Sequence, residues 1–393
     1  MTPLIAFALL TQAPADFAPV WDKVASSIRT RYYARDTRKD EMEGLLKKYE
    51  PIAKAATDRR GFEDTVNRMI ADFHDSHFDY LTDADQGYYL MDGLTHGDKA
   101  AEMPQVGAWF RRASDGYTVQ MVLDGGEAAK AGLRPGDLVT QVDGEPFTPI
   151  DSLKSRAGKM AILTYRRGDR EKTVSVNVMN TKAMAMFLNA SRASSHVIER
   201  DGKKLGYFHL WTQASDDFRS ALSAAVYGKL RDTDGFILDL RAGFGGRPEG
   251  FADPFFRPEA TMEWKQTAGA KPRTEIFGYG RPLVVLIDRG SRSAKEILSF
   301  ILKTSHRATL VGETTAGNVL GTFPLRISDW SYIEIPVVDV SVDHERLEGK
   351  GVASNVAVTP GFNPEGHDQI LERGIEVLKE KIATRRPRPI TSA

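Results

Sequence analysis

The chain has no cysteine. That absence excludes a thiol nucleophile, a disulfide scaffold, an iron–sulfur cluster and any zinc site built on thiolates. It says nothing about compartment, because a chain without thiols is indifferent to redox. Excess charge of one sign is missing too: 53 Lys and Arg stand against 53 Asp and Glu. Without a single-sign field to steer a polyelectrolyte, no nucleic-acid partner is expected. Long hydrophobic runs are absent, since nothing approaches the ~20 apolar residues of a membrane-spanning helix. Histidines are scarce, eight in 393 residues. What remains for chemistry is Ser, Thr, Lys, carboxylates and those few imidazoles. Length predicts two or three domains, and 41% hydrophobic with 27% charged residues reads as an ordinary globular chain.

The first fifteen residues, MTPLIAFALLTQAPA, join an apolar run from Leu4 to Leu10 to Ala13-Pro14-Ala15. A short apolar core followed by small residues is the pattern of a secretory signal peptide, although this one has no Lys or Arg before the core. The plain alternative is a short N-terminal helix. Export by this short, atypical segment predicts a periplasmic or secreted protein. At the other end, Ile370, Leu371, Ile375, Leu378 and Ile382 repeat at helical spacing, and RRPRPITSA reads as a solvated tail.

Between the ends the pattern changes twice. Residues 16–85 form a helical region, with Val20, Trp21, Val24, Ile28 and Tyr32 sharing one face and Phe62, Val66 and Ile70 another. It ends in His74-Asp75-Ser76-His77, followed by a Gly- and Asp-rich stretch, about Thr82 to Met103, that reads as a linker. Residues 105–180 read as short strands interrupted by GGEAAKAGLRPGDLVTQVDGEPF. With Ala131-Gly132-Leu133, Gly136-Asp137 and Asp143-Gly144 in register, that segment resembles a PDZ domain. PDZ domains bind extended peptides as an added strand. Val106-Gly107-Ala108-Trp109-Phe110 loosely resembles their carboxylate-binding loop, which makes Gly107, Trp109 and Phe110 candidate substrate contacts. Residues 181–385 alternate buried-type strands with helices, the signature of an α/β layer.

Two stretches could carry chemistry. In IDRGSRSAKEILSF a strand runs through a turn into a helix, exposing a serine near the positive end of the helix dipole. Ser291 or Ser293 could equally be a plain cap, because Glu296 stands three residues after Ser293 as in a capping box. In DLRAGFGG a buried strand opens into a Gly-rich turn able to present backbone N–H groups to an anion. No GxxxxGK[ST] or GxGxxG follows, so nucleotide binding is disfavoured.

Taken together these stretches resemble the C-terminal processing (tail-specific) and tricorn-type serine peptidase family. The family's "SH" motif is matched by Asp75-Ser76-His77, its "DLRxNxGG" by Asp239 to Gly246, and its "S-A-x-E" by Ser293-Ala294-Lys295-Glu296. VGETTAGNVLG (Val311 to Gly321) and EGKGVASN (Glu348 to Asn355) supply two further segments in the family's order. The resemblance implies a multidomain α/β chain: N-terminal helices, a PDZ-like β domain and a crotonase/ClpP-like protease core. It implies a cofactor-free serine endopeptidase acting on polypeptides, and assembly into homo-oligomers is common in that family.

The resemblance also divides the mechanism. In the processing branch the base is a lysine, which counted from Ser293 falls on position 318, where this chain has Asn318. A neutral amide cannot take the serine proton. Lys295, one turn into the helix, is expected to point away into solvent with an ordinary pKa near ~10.4. The tricorn-like branch takes its base from the "SH" histidine, supported by a glutamate. That implies Ser293 as nucleophile, His77 as base, Glu348 with Ser76 as orienting groups, and N–H groups of Gly245 and Ala294 as oxyanion donors. Each residue keeps a plain rival. His77 could close a helix, His74 is a neighbouring candidate base, His209 reads as a core histidine, and Glu348 could be loop polarity. Two other functions stay open: a peptide- or ligand-binding protein that has lost its base, and a crotonase-like enzyme acting on acyl thioesters.

Overall fold

The computed structural model describes residues 16–256, 260–264 and 273–384. The candidate signal segment and the basic tail lie outside them. The chain divides into two compact units. One joins the residues up to Thr82 with Thr322–Val338; the other holds Asp83–Gly321 and the residues from Asp339 onward.

The first unit is built from the three amphipathic helices that the apolar spacing predicts: Ala18–Arg31, Lys39–Lys54 and Arg59–Ala71. Each turns one face inward, through Trp21, Val24 and Ile28, then Leu46, then Phe62 and Val66, all buried. Asp58 starts the third helix by accepting from Gly61 N–H at 2.8 Å, the N-cap bond that an isolated helix end otherwise lacks. A three-stranded antiparallel sheet completes the core. Its centre strand, Ser331–Val338, pairs with Asp79–Thr82 on one side and with Gly321–Ser328 on the other. Ile327, Ile333 and Ile335 join the helical core from this sheet, so residues far along the chain finish the N-terminal unit. Phe17 stacks on Phe62 with ring centroids 5.0 Å apart and Trp330 stands edge-on to both.

The second unit opens with a helix, not a linker. Gln86–His96 is helical, with Tyr88, Tyr89, Leu90 and Met91 buried and Gly97 ending it at φ +52°. Four successive large apolar side chains outweigh the Gly and Asp around them. Gln86 fixes this helix to the next domain, donating to Ala108 O at 3.0 Å and accepting from Phe110 N–H at 2.9 Å. That domain is a sheet of antiparallel neighbours Ala108–Ala113, Gly116–Val122, Leu138–Val142, Met160–Arg167 and Arg170–Asn177. Gly107 is a required glycine there, since a Cβ at φ +75° would lie 2.7 Å from Gly126 Cα.

The core sheet has the order His196–Arg200, Lys203–His209, Gly235–Asp239, Leu283–Ile287, Thr309–Gly312, Val356–Ala357. The first pair is antiparallel and the rest are parallel. Gly235–Asp239 and Leu283–Ile287 are buried at every position, as expected for parallel strands covered on both faces. The closing helix Gln369–Thr384 lays Ile370, Ile375 and Leu378 on one face of the sheet. Among the described residues no helix is long and apolar enough to cross a membrane.

Candidate active site

In a parallel sheet all carboxyl ends emerge on one edge, so the loops after His209, Asp239, Ile287 and Gly312 gather there. The two stretches singled out by sequence are two of these loops.

The serine turn is strained. Ser293 has φ +60° and ψ −131°, a conformation that side chains other than glycine rarely adopt. It heads the helix Ala294–Thr304, whose first N–H groups have no intrahelical partner. Glu296 holds the turn in place. Its buried carboxylate accepts from Thr315 Oγ1 at 2.6 Å, Gly317 N–H at 2.7 Å, Asn318 N–H at 2.8 Å and Ser293 N–H at 3.2 Å. Burial pushes the Glu296 carboxyl above its ordinary range, against the lowering effect of those four donors. The capping-box pair foreseen from sequence is therefore present, and it ties the turn to residues 315–318. Asn318 contributes backbone: its carbonyl accepts from Ser293 N–H at 2.7 Å.

The Gly-rich loop lies directly against this serine. A Cβ on Gly245 would be 2.4 Å from Ser293 Cβ and 2.7 Å from its Oγ, so only glycine fits. Gly245 O accepts from Gln213 N–H at 2.8 Å and Thr212 Oγ1 at 2.8 Å. Asp288 clamps loop to turn, its Oδ1 accepting from Ala242 N–H at 3.0 Å and Gly290 N–H at 2.8 Å. Deeper, Arg241 forks onto the fully buried Asp239 at 2.6 Å and reaches Asp368 at 2.6 Å. Burial alone would raise the Asp239 carboxyl, but Arg241 and His209 hold it below the usual carboxylate range.

Lys295 is not where its sequence position suggested. It is completely buried, with Nζ donating to Ala242 O at 2.7 Å and Arg241 O at 3.4 Å. Burial lowers its pKa to about 7, against the pull of Asp239 and Asp288. The helix turns this side chain under the Gly-rich loop, a direction that needs the tertiary fold to be seen.

The "SH" turn belongs to the first unit. His77 and His74 both have positive φ, +53° and +57°. Ser76 Oγ and His77 Nδ1 share a hydrogen bond at 3.2 Å. The turn hangs on Asp75, which accepts from Tyr32 Oη, from Tyr33 Oη at 3.0 Å and from Arg38 at 2.8 Å. Burial and then the bond to Asp75 raise the Tyr32 hydroxyl well above its ordinary range. Glu348 accepts from Val319 N–H at 2.5 Å and Leu320 N–H at 3.1 Å, both through Oε2.

The PDZ-like domain touches the Gly-rich loop. Trp109 packs on Phe187 and on Phe244 of the loop, with centroids 5.5 and 5.1 Å away. Met121 Sδ accepts from Gly243 N–H at 3.0 Å, and Asp124 accepts from Trp211 Nε1 at 2.9 Å. His209 stacks on Trp211 at 3.8 Å with Nδ1 3.3 Å from Asp124. Trp109 and Phe110 are each only 7% exposed, Phe110 packing on Phe147 inside the domain. Sequence reasoning missed the Asp75 anchors and this coupling, because both depend on contacts distant in the chain.

The comparisons agree with this architecture. Residues 204–358 match peptidase family S41 and residues 104–178 match the PDZ domain family. The segment that carries most of the core sheet is thus similar to peptidase family S41. A carboxyl-terminal-processing protease of Synechocystis sp. is 31% identical over 60% of this chain and 57% of its own. A relative named tricorn protease homolog 2, of Streptomyces coelicolor, is 22% identical over 95% of this chain and 33% of its own. The chain thus spans about a third to three fifths of the length of such curated relatives. Among solved structures, tricorn protease aligns with TM-score 0.55 at 16% identity, covering 94% of this chain and 37% of that one. The photosystem II D1 C-terminal processing protease aligns with TM-score 0.55 at 20% identity, covering 90% and 96%. At these identities the likeness to solved structures concerns the fold alone.

Proposed function

We propose that the protein is an exported, cofactor-free serine endopeptidase that hydrolyses polypeptides engaged by its PDZ domain. The observation that carries this reading is the strained Ser293 at the head of its helix, with glycine-only space for Gly245 against its side chain. In the proposed reaction Ser293 Oγ attacks the scissile carbonyl and passes its proton to His77. The tetrahedral oxyanion accepts from the N–H groups of Gly245 and Ala294, where the helix dipole favours negative charge. His77 then protonates the leaving amine, and water hydrolyses the acyl-enzyme by the reverse sequence. Ser76 and Glu348 serve as orienting groups. The Ser76–His77 hydrogen bond supports the first of these roles.

His77 is preferred as base because the lysine position of the processing branch is Asn318, whose backbone is committed to the serine turn. Gly107 stands at φ +75° with no room for a Cβ, whereas the side chains of Trp109 and Phe110 are taken up by packing. In this reading Trp109 and Phe110 shape the substrate site from behind. Export to the periplasm or beyond, and homo-oligomers, belong to the same proposal.

Fluorophosphonate labelling tests it. The wild type is expected to be labelled, Ser293→Ala not at all and His77→Ala at least about 100-fold more slowly, while His74→Ala labels normally. Labelling that survives Ser293→Ala overturns the nucleophile. A folded wild type that never labels favours the binding-protein alternative.

A further inference from the structure

We propose that Lys295 is a positioning residue that braces the Gly-rich loop against the serine turn and so aims the Gly245 N–H at the developing oxyanion. This rests on the reading of Ser293 and Gly245 given above. The brace joins two things that must keep a fixed distance. Lys295 lies two residues after Ser293 on the same helix, and its amine grips the two carbonyls that precede Gly243 in the loop carrying Gly245. Gly243 is moulded around it: a Cβ there would lie 2.9 Å from Nζ and 2.0 Å from Trp211 O.

The placement is costly unless it serves such a purpose. Lys295 is fully buried, and among the described residues it makes no ion pair at contact distance. Asp239 and Asp288 act on it from the two adjoining loops, and Arg292 on the serine turn opposes them. Asp239 is already spent on Arg241. A buried amine satisfied chiefly by carbonyls is destabilising compared with an apolar side chain of similar size. Methionine would fill the same space, yet could not hold the loop. The lowered pKa of about 7 fits an amine that keeps its two carbonyl bonds whether or not it carries the extra proton.

The test uses Lys295→Met and Lys295→Gln, with Ser299→Ala as a control on the same helix, where Ser299 Oγ donates to Lys295 O at 2.7 Å. With a fluorophosphonate probe, the maximal inactivation rate should fall at least about tenfold in Lys295→Met, since small misplacements of catalytic donors are expensive. Lys295→Gln, which retains a donor, should fall less, and the probe's half-saturating concentration should stay within about twofold in both. Ser299→Ala should match the wild type. Hydrogen–deuterium exchange across residues 241–247 should accelerate in both lysine variants while the core strands stay protected. That readout stands even if the probe labels nothing, and if Lys295→Met does not fold, Lys295→Gln decides. Folded variants with unchanged inactivation rate and unchanged loop exchange overturn the proposal. So does an equal loss in Ser299→Ala. Labelling that persists in Ser293→Ala instead refutes the reading of Ser293 and leaves exchange to judge the brace.

Discussion

The serine turn and the "SH" turn are strained in the same way and supported in opposite ways. Both place a non-glycine residue at positive φ, Ser293 at +60° and His77 at +53°. The serine turn is held from beneath by charged side chains acting mainly on backbone: buried Glu296 on three amides and the Thr315 hydroxyl, half-buried Asp288 on two amides, buried Lys295 on two carbonyls. The "SH" turn is held from the side by side chains of the connection between the first two helices, with Tyr32, Tyr33 and Arg38 converging on Asp75. A turn that buried charge fixes through its own backbone should fail all at once. A turn hung on separate side chains should loosen one contact at a time.

Substitutions can break or sharpen that contrast. The largest effect is expected for Gly245→Ala, whose methyl collides with Ser293. Labelling by a fluorophosphonate should drop about 1,000-fold or more, the size expected when oxyanion geometry is lost. Next is Glu296→Gln, which turns two of four accepting sites into donors facing N–H groups. Urea unfolding should show a loss of about 2–4 kcal/mol, because buried donors are left unpaired. Asp75→Asn should cost less stability, about 1–2 kcal/mol, and slow labelling about tenfold, while Tyr33→Phe should lose under about 1 kcal/mol. If Tyr33→Phe proves as damaging as Glu296→Gln, the contrast between the two supports is wrong.

A last effect is a slope. Lys295 titrates near 7 in the folded chain and near ~10.4 unfolded. Between those values the unfolded chain binds more protons, so this group makes stability rise with pH across that window. Denaturant unfolding at pH 7 and pH 10 should show that rise, and Lys295→Met should show less of it.

Much of this was legible in the chain itself. Alternating apolar strands and helical spacing gave the α/β layer, because parallel strands buried on both faces read as continuous apolar runs such as Leu283–Ile287. The helix faces of residues 18–71 followed mostly from periodicity, although Ile52, expected on the buried face of the second helix, is exposed. What stayed hidden depended on distant pairings. The partnership of Asp79–Thr82 with Ser331–Val338 leaves no local trace, since a strand's register is set by its neighbour. Gln86–His96 was concealed by its Gly and Asp content. The direction of Lys295 was misread for a similar reason: a lysine is exposed by default, and only the loop folded over it makes a buried position possible. Ser293 and the Gly-rich loop announced themselves through motif order, whereas the anchors of Asp75 are three residues in the connection between the first two helices, 37 to 43 positions away.

The claim that Ser293 is activated by the "SH" histidine is tested most directly by the pH dependence of fluorophosphonate inactivation of the wild-type protein. The account predicts a rate that rises through pH ~6–7, the ordinary range of an imidazole, with that limb gone in His77→Ala. A rate that climbs only above pH ~9, as a lysine base of ordinary pKa would impose, or a limb unchanged in His77→Ala, would contradict it.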